Sequence, residues 1–307
     1  MRHEADDIPA LTKAGYIATN AVARAFINAA LALPYRWRVP FLGWVMAHVI
    51  GPAAGFLKRA EGHVAFAMPH LPHAEHRRIA RESLNNTGRT LIENYSTKDL
   101  LARQKGAAVS GGGFEHLQQA VERGQPVIMV TGHFGNYEAV RAALLGAGFD
   151  VGGLYRDMSN PYFNEHYART MHDLGGPVFA QGRKGTAGFV RHLKAGGQLV
   201  LLFDQHVFDA PVLEFLGHPA RTAVSAAELA VRYNALLIPF YGIRAADGLS
   251  FDCVMEEPIP HSDPLTMTQA MNDSIGARIR AHPGQWLWVA RRWRTQGYEQ
   301  GPVSDPT

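Results

Sequence analysis

His133 and Glu138 stand five residues apart in the run VIMVTGHFGNYEAVRAALLGAG. A histidine within reach of a carboxylate is minimal machinery for moving a proton near neutral pH. Their spacing decides where they sit. On one regular helix, five residues turn by about 140°, so the two side chains would point apart. His133 therefore belongs to the loop before the helix, where its ring can fold back on the first turn. There Glu138 can accept the Nδ1 proton, fix the tautomer and leave Nε2 as a base. The same two residues also fit a structural loop histidine and a carboxylate that merely favours the positive end of a helix dipole.

No partner for covalent chemistry accompanies them. The sequence has no G-x-S-x-G elbow, Walker A loop, G-x-G-x-x-G or H-E-x-x-H. Cys253 follows Asp252 in an apparent strand and reads as structural. A base acting on the substrate's own hydroxyl is the economical mechanism. His70, His73 and His76 recur every three residues, but Pro72 interrupts them and no cysteine or carboxylate completes a ligand set. They read as a solvated helix start, and neither a metal nor a cofactor is expected. Trp286, Trp288 and Trp293 alternate with Arg291, Arg292 and Arg294, which fits an interfacial aromatic belt or a core strand with a basic exit. Asn85-Asn86-Thr87 matches a glycosylation acceptor and is discounted for want of a secretion signal.

The elements that must position these residues follow from the periodicity. From residue 11 to about 105 the apolar spacing is helical, with Pro72 opening a helix through Ile79, Leu84 and Leu91. From Pro126 onward, short apolar runs bounded by glycine alternate with amphipathic segments. That pattern predicts βαβ units, with strands at 127–131, 151–155, 178–180, 199–204, 236–241 and 249–255. Continuous runs such as LVLLF demand a sheet covered on both faces, hence a largely parallel one. Asn136 is placed to cap the helix that Gly146 and Gly148 end. The expected architecture is α/β: a mostly parallel mixed sheet flanked by helices, with a helical N-terminal region. The division is 1–105 helical and membrane-associating, 106–296 the α/β core, and 297–307 a loose tail.

Composition excludes whole classes. With 307 residues, a formal charge of +3 and 47% hydrophobic residues, the chain is too apolar and too weakly charged to be disordered or fibrous. One cysteine excludes a disulfide framework. The first seven residues carry Glu4, Asp6 and Asp7 and lack the basic start and apolar run of a signal peptide. Between Arg36 and Arg103 ten Lys or Arg face five Asp or Glu, a local +5. Within it, residues 39–57 are uncharged, long enough to span a bilayer but broken by Pro40, Gly43, Gly51, Pro52 and Gly55. An interfacial segment on an anionic membrane surface is expected, with Phe41, Trp44 and Leu57 in contact; a buried helix pair is the alternative. No nucleic-acid recognition pattern interleaves the arginines.

Five motifs in order, GHFGNYE, YRDMSNP, LLFDQ, EFLGHPARTAVSAAELA and QWLWVARRWR, resemble those of the bacterial lipid A biosynthesis acyltransferases across roughly residues 30–295. The resemblance implies a glycerolipid-acyltransferase-like α/β fold. It also implies an acyl carrier protein thioester as donor, a lipid A precursor as acceptor, and attachment to the cytoplasmic face of the inner membrane. Carried over, it makes His133 the general base and Glu138 its orienting partner. Arg156 and Asn160 would line the same crevice, with the glycine-loop amides or Arg156 as oxyanion donors. Arg156 otherwise reads as a surface ion pair and Asn160 as a helix cap. Asp204 and Gln205 again end a strand, and Arg169 is placed to pair with Asp204 in the site's wall. The chain departs from the family pattern at Ala223, Val224 and Ser225, where a glycine commonly follows the threonine, and at Ala290, where histidine commonly precedes Arg-Arg.

Other functions stay open at this level. Another glycolipid, such as a phosphatidylinositol mannoside, would keep the chemistry and change the acceptor. A thioester hydrolase would use His133 to activate water. A lipid-binding protein with a retired site would need neither His133 nor Glu138, and both are present.

Overall fold

Runs such as VIMVT and QLVLL have no polar face to offer water, so they are stable only inside a covered sheet. In the computed structural model, which describes residues 10–294, they form its middle. The strands are β1 (Val109–Ser110), β2 (Val127–Thr131), β3 (Val151–Tyr155), β4 (Val178–Ala180), β5 (Gln198–Leu202), β6 (Val212–Phe215), β7 (His218–Arg221), β8 (Leu236–Arg244) and β9 (Phe251–Met255). Seven of them make one sheet in the order β1-β9-β8-β2-β5-β3-β4, and β6 and β7 form a separate hairpin. Every pairing in the large sheet is parallel except β8 with β9. The expected mostly parallel mixed α/β sheet is the one observed.

Alternation along β2 divides the core. Val127 and Met129 pack with Val140, Ala143 and Leu144 of the helix Tyr137–Gly146. Ile128 and Val130 face the other way, in the cluster that holds Ala226, Ala227 and Ala230 of the helix Ser225–Tyr233. Connections leaving β2 and β5 therefore run over opposite faces. The carboxyl ends of these neighbouring strands form a switch point, where open α/β sheets leave a crevice.

Strand ends differ from the expected ones for local reasons. The run at 199–204 begins one residue earlier and stops at Leu202, and Asp204 leaves the ladder for a hydrogen bond to a loop. The run at 236–241 continues to Arg244 because β9 folds back on it antiparallel. The run at 249–255 starts at Phe251, since Asp247 Oδ1 accepts from the amides of Leu249 and Ser250 in a turn. β1, β6 and β7 are two to four residues long, too short to show a period.

The N-terminal helices Ala10–Leu31, Tyr35–Val45, Phe56–Ala67, His73–Tyr95 and Thr97–Gln104 precede the sheet, with a π-helical turn at Met46–Ile50. Ala47, Leu57, Val64 and Ile79 share one hydrophobic cluster with Val130, Phe189 and Trp286 of the α/β part. The uncharged stretch is split rather than uniform: Val39, Leu42, Ala47 and Leu57 are buried, while Phe41, Trp44, Val49 and Ile50 are exposed. Leu57 is thus a core residue and not the surface contact expected of it. Among the described residues no single helix is long and apolar enough to cross a membrane. The pair Tyr35–Ala53 and Phe56–Ala67 passes that test only together, bent by 92°. The loose tail expected at 297–307 lies outside the described residues.

Candidate active site

Thr131 of β2 lies opposite Leu202 of β5 in the parallel ladder. Two residues further along each chain, His133 and Asp204 meet above the carboxyl ends of the strands. His133 Nδ1 stands 2.7 Å from Asp204 Oδ1. The His133 backbone N–H donates to Asp204 Oδ2 at 2.8 Å, and so does Trp286 Nε1 at 2.8 Å. An ionised carboxylate only accepts, so Nδ1 carries the proton and Nε2 keeps its lone pair. The Asp204 side chain is 3% exposed against 29% for His133, so the acid is sealed while the ring reaches the surface. Gln205, itself exposed, brings its side-chain amide within 3.4 Å of Nε2.

Charge and burial work against each other here. Burial lowers the affinity of the His133 ring for a proton, but the Asp204 charge and hydrogen bond outweigh it and hold the pKa above the ordinary imidazole value. Burial likewise opposes ionisation of Asp204, yet the facing ring and three donated hydrogen bonds keep its carboxyl below the usual range. The outcome is an ionised Asp204 facing an imidazole whose affinity for a proton at Nε2 is raised.

Glycine lets the loop take this shape. Gly135 has φ +54°, and a Cβ there would lie 1.9 Å from the Gly242 carbonyl oxygen. The loop amides are already engaged: His133 N with Asp204, Phe134 N with Gly132 O, Gly135 N with Gln285 O, and Asn136 N with Gly242 O. The amides of residues 133–136 are therefore not free to receive an oxyanion, contrary to the expectation from sequence.

Glu138 does not reach His133. Its buried carboxylate pairs with Arg141 Nη1 at 3.2 Å, one turn along the same helix. Arg141 also donates to the Val151 and Gly175 carbonyls, so the pair ties helix to sheet. The position expected for Glu138 is taken by Asp204, because the parallel ladder delivers an acid to Nδ1 and the helix turns Glu138 away. Asn136 caps this helix as expected, its Oδ1 accepting from the Glu138 amide at 3.1 Å.

The remaining expected residues separate. Arg169 is exposed and pairs with Glu165 on its own helix, so the proposed Arg169 to Asp204 ion pair does not exist. Asn160 caps the helix Pro161–Leu174 through the Tyr162 and Phe163 amides, and its Nδ2 donates to Tyr16 O and Thr19 Oγ1 of the first helix. Arg156 is exposed just beyond β3, at the same edge of the sheet. Trp286, Trp288 and Trp293 are all buried in contact with one another, which makes them core and not belt. Cys253 is buried and its thiol is pushed up to about 12 by that burial and by Asp252. His76 is buried against the Met68 carbonyl, and His73 pairs with Glu61. No metal-holding group of His, Cys, Asp or Glu occurs among the described residues.

A buried polar network on the helix His73–Tyr95 supports the loop and was not anticipated. Thr90 Oγ1 and Asn86 Nδ2 donate to the Gly135 carbonyl. Glu93 accepts from Asn136 Nδ2 at 2.9 Å and from both terminal nitrogens of Arg244. The signal was present as a polar stripe at 86, 90 and 93 within an amphipathic helix. Asn86 is also the middle residue of the Asn85-Asn86-Thr87 match.

Next to Asp204 the surroundings are cationic. Buried Arg292 donates to the Arg221 carbonyl and Thr222 Oγ1. Burial draws its pKa down to about 10 against the pull of Asp204. Burial and the charges of Arg294, Arg292 and Arg221 also hold His206 below the ordinary imidazole value.

The family model described as bacterial lipid A biosynthesis acyltransferase matches residues 9–295. Three relatives are similar to the chain. A lipid A biosynthesis acyltransferase of Haemophilus influenzae is 24% identical, covering 60% of this chain and 58% of its own length. A lipid A biosynthesis lauroyltransferase of Escherichia coli is 24% identical over 87% of this chain and 91% of its own. A phosphatidylinositol mannoside acyltransferase of Mycobacterium tuberculosis is 23% identical over 63% and 62%. The chain thus spans little more than half the length of the first of these relatives and nearly all of the second.

Proposed function

We propose, given that this chain belongs to the bacterial lipid A biosynthesis acyltransferase family, that it moves a fatty acyl group from an acyl carrier protein thioester to a hydroxyl of a lipid A precursor, with His133 as general base. The observation that carries this reading is the His133–Asp204 pair, with Nδ1 held by a buried carboxylate and Nε2 on the open side.

His133 Nε2 takes the proton of the acceptor hydroxyl as its oxygen attacks the thioester carbonyl. The carbonyl becomes a tetrahedral oxyanion, and collapse breaks the carbon–sulfur bond. The departing thiolate then takes the proton from Nε2, leaving ester, thiol and neutral imidazole. Asp204 stabilises the transient imidazolium and keeps the tautomer, as a buried acid does behind a catalytic histidine. With the amides of residues 133–136 engaged, oxyanion stabilisation falls to exposed side chains at this edge, Gln205 beside Nε2 and Arg156 beyond β3. Glu138 serves the site indirectly, by anchoring the helix that follows the loop. The cationic setting of Arg221, Arg292 and Arg294 suits a phosphorylated acceptor or donor. Trp37, Phe41 and Trp44, exposed on one helix, suit contact with the bilayer in which such an acceptor resides.

The phosphatidylinositol mannoside acyltransferase relative favours a second reading, in which the acceptor is another glycolipid. Incubating the purified protein with acyl carrier protein donor and either acceptor, followed by mass spectrometry of the lipid, separates the two. Transfer to the lipid A precursor that disappears in His133→Ala is the expected result. A folded His133→Ala retaining more than a tenth of the turnover sinks the base assignment, and transfer to neither acceptor sinks the substrate class.

A further inference from the structure

Between the π-helical turn Met46–Ile50 and the helix His73–Tyr95 lies a cleft of about 490 Å³, whose polar walls are His48, Arg77, Arg78, Arg81, Asn85 and one carboxylate, Glu82. His133 and Asp204 are not among its walls. Arg78 is neutralised in place, with Glu75 on Nε and Nη2 and Glu82 on Nη1. Arg77 and Arg81 have no carboxylate partner among the described residues, and Arg81 Nε is buried without a hydrogen-bond partner. With Glu82 held by Arg78, the cleft keeps two unmatched cations, Arg77 and Arg81, so its complement is negative and accepts hydrogen bonds from guanidinium, as a phosphate does.

The rim identifies the source of that phosphate. His48 stacks on Trp44 with ring centroids 5.3 Å apart and planes within 18°. Trp44 continues a stripe of exposed apolar side chains at i, i+4 and i+7, Trp37, Phe41 and Trp44, 59%, 49% and 52% exposed, which Val49 and Ile50 extend. Tryptophan beside unmatched arginine is the pairing suited to a membrane interface, where the ring sits at headgroup depth and the cation meets phosphate. A π-helical turn widens the helix at this point, a feature often found at functional sites.

We infer that this cleft binds the phosphate of an anionic phospholipid headgroup, separately from the catalytic pair, and so orients the protein on the bilayer. The inference rests on the membrane contact in the reading above and adds a defined headgroup site to it.

Vesicle co-sedimentation of the full chain tests it, using phosphatidylcholine vesicles with and without phosphatidylglycerol. The wild type is expected to bind both and to prefer the anionic ones. Arg77→Gln with Arg81→Gln removes both charges while leaving a shorter polar side chain at positions that are exposed and half-buried, and should reduce that preference by about tenfold or more. Arg183→Gln with Arg191→Gln, exposed on the helix Arg183–Lys194, removes the same charge elsewhere and should retain the preference. Equal loss in both double variants would mean a diffuse charge effect and overturn the site, as would no loss in the first. Inorganic phosphate that abolishes the preference at constant ionic strength, with isothermal titration showing tight phosphate binding off the membrane, would mark a free-anion site and overturn the lipid assignment. A wild type that binds neutral vesicles without preferring anionic ones fails only the headgroup site. Failure to bind either vesicle removes the membrane contact itself.

Discussion

His133 and Asp204, 71 positions apart in the chain, face each other at 2.7 Å because each is the second residue beyond a register pair, Thr131 with Leu202, of two parallel strands. The pair is a consequence of sheet register, and a slip of one residue would turn one of the two side chains to the opposite face. Trp286 seals the far side of the acid, so the ionised carboxylate has only the imidazole through which to act on solvent.

Asp204→Asn is expected to lower turnover by roughly 10²- to 10⁴-fold with the fold retained. The new amide can keep its oxygen toward the His133 N–H and Trp286 Nε1, but its nitrogen then faces Nδ1 and imposes the tautomer that protonates Nε2. The pH profile supplies a second check. A base works when neutral, and Asp204 raises the pKa of His133. The acid limb of kcat/KM in the wild type should therefore lie above about 6.5 and move down in the variant. Stability follows the same pair. The depressed carboxyl contributes stability above about pH 4, lost as pH falls, and the raised imidazole contributes below about pH 6.5, lost as pH rises through its folded value. The gap in melting temperature between wild type and variant should be widest between those limits. A gap that keeps widening above pH 8 contradicts the pairing.

Glu138→Gln addresses the acid whose spacing first suggested a dyad. It strands the buried Arg141 cation, which points to a loss of about 3–5 kcal/mol of stability. The acid limb should stay where it is in the wild type. Urea melts and a pH–rate profile on the same preparation decide the matter, and a limb displaced as far as in Asp204→Asn would return Glu138 to the imidazole.

Direct transfer predicts no acyl-enzyme. The Cys253 thiol is buried with its pKa near 12, so thiolate is scarce at neutral pH. Intact-mass spectra after incubation with acyl donor alone should show the unmodified chain, and an adduct that chases into product on adding acceptor would demand a hidden nucleophile.

Gly135→Ala tests the loop. The substitution places a Cβ against the Gly242 carbonyl at a positive φ, so the backbone from 133 to 136 must move. The expected cost is about 1–3 kcal/mol, with turnover falling further than stability. Hydrogen exchange at Asn136, whose amide bonds Gly242 O, should accelerate. Unchanged exchange and turnover would show that the loop tolerates a second conformation.

The sequence by itself determined the class of fold, because burial leaves a direct trace: uninterrupted apolar runs need a sheet covered on both faces, and their alternation with amphipathic segments needs parallel crossovers. It also placed His133 on a loop and Asn136 at a helix cap, since five residues cannot span one helix face and a short polar side chain satisfies an orphan amide locally. Its limit was the acid. Local spacing offered Glu138, while the residue at Nδ1 comes from a strand more than seventy positions away, and only strand order and register decide which carboxylate arrives there. The same holds for Leu57, which belongs to the core, for Arg169, which turns to its own helix, and for Asn86, Thr90 and Glu93, whose polar stripe acquires a role once the loop packs against it. Nearest-neighbour chemistry is written along the chain; partners across the sheet exist only when the tertiary structure brings them together.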